Sequence, residues 1–238
     1  MGSTLQRQLI TRVSHAFPDA IFYKETTTKM VALTIDDVPA PYELTDASTH
    51  LLLDTIAAHN DRAITWRDRV QATFFVITGH LGAKSTILER IWADGHEVGN
   101  HGVADETTAA LSAPVFAAQF TTAHQILCDR GQRPLRWYRP GRGLYNPHML
   151  QTLRQMPGYE PRFALASMLP LDTFKPTHLA SFTTWYASQF IFPGAILVLH
   201  GGSALQATQT AQVLKILLKA LAAQGYRIVT LSELWDGD

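Results

Sequence analysis

Two patterns in the sequence predict an α/β fold of parallel strands joined by helices. Short apolar runs alternate with helical patterns along the chain, and several of the runs end on a charged or titratable residue. The strand candidates are Val31–Ile35, Thr73–Ile77, Glu97–Gly99, Trp137–Arg139, Phe163–Ala166, Ile196–Leu199 and Arg227–Thr230. Helical patterns fall between them at Ser48–Ala58, Thr86–Ala93, Pro114–Cys128, Pro147–Gln155, His178–Gln189 and Thr208–Ala223. In the last of these, Val213, Ile216, Leu217, Ala220 and Leu221 recur at helical spacing, Lys215 and Lys219 turn to water, and Gly225 follows as a stop. Such alternation implies right-handed crossovers between parallel strands. By itself the pattern fits a barrel or an open doubly wound sheet.

No internal repeat, low-complexity tract or linker interrupts the chain, so one domain spanning residues 1–238 is expected. With 238 residues, 46% hydrophobic content and a formal net charge of zero, the chain is long enough for one substantial core and carries no basic excess for nucleic acid or anionic membranes. The single cysteine, Cys128, excludes an intramolecular disulfide and a cysteine-rich metal site. The segment Met1–Gln8 lacks the apolar core of a secretory signal and no stretch reaches transmembrane length. A cytoplasmic location is therefore expected, or a secreted one if a signal has been removed.

The most informative feature is Thr34-Ile35-Asp36-Asp37, which places two adjacent carboxylates at the exit of a buried strand. Such a pair repels itself and loses hydration, and a fold tolerates it when a cation or a basic partner sits beside it. Three further strand ends carry ionisable residues: His101 with Asp105 four residues on, Arg139 before Pro140-Gly141-Arg142-Gly143, and His200 before Gly201-Gly202. Asp172 closes another apolar stretch. Convergence of such residues from several strands is the arrangement at the mouth of an α/β barrel.

In this order and spacing the set resembles the NodB-type polysaccharide deacetylase superfamily, carbohydrate esterase family four, from about Val31 to Leu234. Thr34–Asp37 resembles its first motif, His101 to Asp105 its second, Arg139-Pro140 its third, Asp172 its fourth and Leu199-His200 its fifth. The resemblance implies a distorted (β/α) barrel of about seven parallel strands. It also implies a metal-dependent hydrolase that removes N-acetyl groups from an amino sugar, a chitin-type oligomer or a smaller conjugate. One divalent ion is implied, Zn²⁺ first, with Co²⁺ or Mn²⁺ as alternatives, and Asp37, His101 and Asp105 as its ligands. Asp36 would be the general base, held ionised by Arg139. His200 would be the general acid, oriented by Asp172, and the backbone N–H near Arg142 would complete an oxyanion hole. Trp185-Tyr186 is the aromatic cluster expected to touch substrate, whereas His96 is expected to lie away from the site.

The chain departs from the family pattern at four places. Val38 stands where glycine is usual, Gly201-Gly202 where an aspartate often follows the histidine, Arg142 where tyrosine is frequent, and Asp105 in place of the second histidine. Replacing imidazole by carboxylate at 105 would favour harder ions. Two other functions fit the chain: hydrolysis of small amides or imides, as in allantoinase-like members of the superfamily, and silent sugar binding. Against silent binding stands the joint presence of Asp36, Asp37, Arg139 and His200, none of which binding alone requires.

Overall fold

A computed structural model describes residues 2–131, 133–168 and 180–237. An N-terminal helix α1 (Gly2–Ala16) precedes a short strand β1 (Ala20–Ile21) and the central strand β2 (Met30–Val38). After β2 the chain runs through α2 (Ala47–Asn60), β3 (Ala72–Val76), α3 (Ile87–Ala93), β4 (Glu97–Asn100), α4 (Ala113–Gly131), α5 (Pro147–Gln155) and β5 (Phe163–Ala164). It closes with α6 (Ala180–Phe190), β6 (Ile196–His200), α7 (Ala204–Ala223), β7 (Arg227–Val229) and α8 (Leu231–Asp236).

All strand pairing in the main sheet is parallel, in the order β4-β3-β2-β6, with β7 on the first residues of β2. From Met30 to Ile35 every residue of β2 is buried, so the strand is covered on both faces. On one side pack Leu33, Ile35, Leu52, Ile56, Leu214 and Leu217, which join β2 to α2 and α7. Ala32, Phe75, Trp137, Ala164, Ile196 and Val198 form a second cluster inside the curved sheet.

The expected strands at 137–139 and 163–166 are realised more sparsely than the sequence suggested. Asn100 bridges Tyr138, the Ala164 N–H donates to the Tyr138 carbonyl at 3.0 Å, and Met168 bridges Leu197 of β6. Sheet hydrogen bonding thus passes from β4 round to β6 through single bridges, and β5 pairs with β1, which the sequence pattern did not reveal. The distortion of the barrel is concentrated there.

At the N-terminal end of the strands a carboxylate acts as a hub. Glu97 accepts from Thr73 Oγ1 at 2.6 Å, Trp137 Nε1 at 3.1 Å and the Ser232 N–H at 3.2 Å. These bonds tie β3, β4, residue 137 and α8 together at the end of the barrel opposite the acidic pair.

Candidate active site

Residues i and i+2 of a strand share a face, and in β2 this sets Thr34 and Asp36 toward the same neighbour, Arg139. The Arg139 guanidinium donates to Asp36 Oδ1 at 2.5 Å and to Thr34 Oγ1 at 2.8 Å. Its remaining nitrogens reach the carbonyls of Ala164 at 2.8 Å and Leu165 at 3.1 Å, and the Phe75 ring lies 4.1 Å from its centre. Asp36 and Arg139 are only 5% and 4% exposed, so this is a buried ion pair in which the guanidinium's donors are taken up from all sides. Thr34, whose hydroxyl also donates to the Leu197 carbonyl at 3.0 Å, was not singled out from the sequence. The signal was its two-residue offset from Asp36.

Asp37 follows in left-handed backbone, φ 64°, which turns its side chain away from that of Asp36 and toward β4. There His101, immediately after β4, brings Nε2 to 3.2 Å from Asp37 Oδ1 and 4.0 Å from Asp36 Oδ2. The His101 Nδ1–H donates to the Arg139 carbonyl at 2.8 Å, which leaves Nε2 to face the carboxylates. Asn100 shapes this turn, accepting from the Gly102 N–H at 2.8 Å and donating to Tyr159 at 3.1 Å.

The electrostatics agree with the geometry. Burial pushes the Asp37 carboxyl up, but the hydrogen bond with His101 and the charges of His101, His200 and Arg142 prevail and hold it below the usual carboxylate range. Burial likewise opposes charging of His101. Its bond to Asp37 and the two carboxylates overcome that and raise its pKa.

His200 ends β6 in register with Asp36, and the Gly201 N–H donates to the Asp36 carbonyl at 2.9 Å. The two glycines that follow have a steric reason. A methyl group at Gly202 would lie 2.8 Å from Asp37 Cβ, and one at Gly201 2.8 Å from Val38 Cγ1 and 2.9 Å from Leu52. Val38 fills space that a side chain at 201 would need.

Not every expected site residue joins this group. Asp105, expected as a third ligand, pairs instead with Arg142 at 2.9 Å, and among the described residues no three acidic, histidine or cysteine side chains are grouped to hold a metal ion. Trp185 and Tyr186, expected at the substrate, sit on α6. Trp185 packs on Phe182 and Phe190, and the Tyr186 hydroxyl accepts from Gln6 of α1. Asp172 lies outside the described residues. His96 is remote from the group, as expected: its Nδ1 accepts from the Ala72 N–H at 3.2 Å, and burial pushes its pKa down to about 4.

A divalent ion fits part of this constellation. A nitrogen lone pair facing two carboxylates is relieved by a proton or a cation at that point, and Asp37 with His101 offers a mixed oxygen and nitrogen donor set.

The parallel α/β fold thus brings an acidic pair, a histidine and a buried arginine together at its strand ends, and comparison with known proteins supplies the family. The sequence profile described as Polysaccharide deacetylase matches residues 23–160, and the chain belongs to that family, whose deacetylase members act on the C–N amide bonds of N-acetylated sugars. A chitooligosaccharide deacetylase of Bradyrhizobium sp. (strain ANU 289) is 30% identical over 222 residues, covering 87% of this chain and 91% of the relative. Among solved structures, a family 4 acetyl xylan esterase from Clostridium thermocellum in complex with a cobalt ion superposes with TM-score 0.72 at 23% identity, covering 87% of this chain and 90% of that one. BA3943, a CE4 family pseudoenzyme from Bacillus anthracis, superposes with TM-score 0.74 at 22% identity, covering 92% and 69%. Both structural likenesses concern the fold. Among the described residues no helix is long and apolar enough to cross a membrane.

Proposed function

We propose that this chain, acting as one catalytic domain, is a divalent-metal-dependent deacetylase that removes the N-acetyl group from an amino sugar, a chitin-type oligomer or a smaller conjugate. The observation that carries the reading is the buried Asp36, gripped by Arg139 at 2.5 Å and standing beside Asp37 and His101. The chitooligosaccharide deacetylase relative supports the substrate class, and the cobalt complex of the acetyl xylan esterase supports a divalent ion. Asp37 and His101 would hold that ion. Bound there, it would polarise the acetyl carbonyl and acidify a water.

The protein's own groups manage the protons. Asp36, oriented by its bond with Arg139, accepts a proton from the water as its oxygen bonds to the acetyl carbon. His200, across the strand pair from Asp36, delivers a proton to the departing amine nitrogen as the C–N bond breaks. The products are acetate and the free amino sugar.

The test is acetate release from chitin oligomers and from small N-acetyl compounds, before and after chelation, with Zn²⁺, Co²⁺ and Mn²⁺ added back. Release that stops on chelation and returns with one ion supports the reading. A chain that binds oligomers but releases no acetate with any ion would instead be a silent binder, and hydrolysis confined to cyclic imides or simple amides would replace the sugar as substrate.

A further inference from the structure

Two of the positions at which the sequence departs from the family pattern, Asp105 and Arg142, touch each other. Their carboxylate and guanidinium meet at 2.9 Å, with side chains 45% and 56% exposed. An exposed ion pair contributes only about 0–1 kcal/mol, so stability is a poor reason for this contact. The backbone reinforces the point. Arg142 is held at φ 60°, ψ 10°, a left-handed conformation that L-residues adopt at a cost and that here lies within a tight turn, Gly141–Gly143. A methyl group at Gly141 would approach the Glu106 carbonyl oxygen to 2.0 Å, so the turn and the loop carrying Asp105 lie main chain against main chain. Arg142 therefore leaves a fixed turn and meets Asp105 on the facing loop. The guanidinium also lies close enough to Asp37 for its charge to act there.

We infer that Asp105 is a positioning residue for Arg142 and not a metal ligand. The cation is held from the protein side by Asp37 and His101, and Asp105 orients the Arg142 guanidinium toward the acetyl oxygen. This rests on the proposed deacetylation. As the water oxygen bonds to the acetyl carbon, the carbonyl π pair moves onto oxygen, the water's proton passes to Asp36, and the guanidinium donates hydrogen bonds to the new oxyanion. The side chain at 142 thus adds a charged donor to the backbone N–H expected there. With Asp105 committed to an arginine, one carboxylate and one imidazole face the cation, rather than two carboxylates and one imidazole.

The experiment combines calorimetry, NMR and kinetics on the full chain. Zn²⁺ and Mn²⁺ are titrated into metal-stripped wild type, Asp105→Asn and Asp37→Asn. The expected result is that Asp105→Asn changes the dissociation constant by less than about threefold while Asp37→Asn raises it by about 100-fold or more. The Arg142 Nε–H signal, assigned by its loss in Arg142→Gln, should be sharp in wild type and averaged in Asp105→Asn, with Asp105→Glu restoring it. In acetate release, Arg142→Gln should lower kcat about 100-fold with little change in KM, the loss typical of one oxyanion donor. Asp105→Asn should lower kcat in the same sense, and the double variant should fall no further than Arg142→Gln alone. A tenfold or larger loss of cation affinity in Asp105→Asn would make Asp105 a ligand and overturn the inference. So would an Arg142 signal unchanged by Asp105→Asn, or kinetic effects that multiply. If wild type releases no acetate at all, the proposed function fails, while the isotherms and the Arg142 signal still judge the role of Asp105.

Discussion

His101 donates from Nδ1 to the main-chain carbonyl of Arg139 at 2.8 Å, while the side chain of that arginine holds Asp36 at 2.5 Å. One residue thereby fixes the tautomer of the imidazole through its backbone and the placement of the neighbouring carboxylate through its guanidinium. The two jobs separate by mutation. Arg139→Met keeps the carbonyl but strands Asp36 as a buried charge, and breaking a buried pair from one side costs about 3–5 kcal/mol. Urea unfolding should show that loss, and Asp36→Asn combined with Arg139→Met should recover part of it. Equal midpoints for the single and double variants would mean that Asp36 is hydrated in solution.

Asp36→Asn and His200→Ala should each cut acetate release by about 100- to 10,000-fold, the span typical of a lost general base or acid. Zn²⁺ binding should persist in both, since the proposed ligands are untouched. Near-normal turnover in Asp36→Asn would remove Asp36 from the chemistry.

Gly202→Ala sets a methyl group 2.8 Å from Asp37 Cβ. Overpacking of this kind costs about 1–3 kcal/mol, and the strand end that must yield carries a proposed ligand. Cation affinity measured by calorimetry should fall together with stability. A loss of stability alone would show that Asp37 stays in place while the 201–202 loop moves.

His96 gives a pH signature separate from the site. Its folded-state pKa is depressed to about 4 by burial, so the unfolded chain binds the extra proton first as pH falls. The stabilisation is complete above the ordinary histidine range near 6.5 and is lost progressively down to about 4, at up to about 1.4 kcal/mol per pH unit. Urea midpoints at pH 7 and pH 5 should differ accordingly, and His96→Gln should shrink the difference even though it lowers stability at pH 7. An undiminished difference in that variant would assign the acid sensitivity to other groups.

What could be read from sequence follows from where each signal resides. The helix over Pro147–Gln155 was bounded correctly because Asn146 accepts from the Met149 N–H and Pro147 opens the first turn, both local cues. The helices around α2, α4 and α7 and the gathering of Asp36, Asp37, His101, Arg139 and His200 at one strand end were also legible, since apolar periodicity and strand-end placement suffice for them. The N-terminal helix α1 was not, because none of its residues is buried and the segment is polar on average. The contact between Gln6 of α1 and the Tyr186 hydroxyl was hidden with it. β1 and β5 are two residues each and exist through their mutual pairing, which no local pattern encodes. At the site, the pairing of Asp105 with Arg142 of the turn Gly141–Gly143 is likewise a contact in space that spacing along the chain does not encode.

The contact between the Val38 side chain and the Gly201 backbone constrains how this chain could have changed over time. A side chain at 201 cannot be gained while valine occupies 38, because its first carbon would sit 2.8 Å from Val38 Cγ1. Reducing residue 38 to glycine removes that approach and leaves the one to Leu52, whose side chain would lie 2.9 Å from the same carbon. Position 201 is thus closed from two sides, by its neighbouring strand and by helix α2, and a side chain enters there only when both have given way.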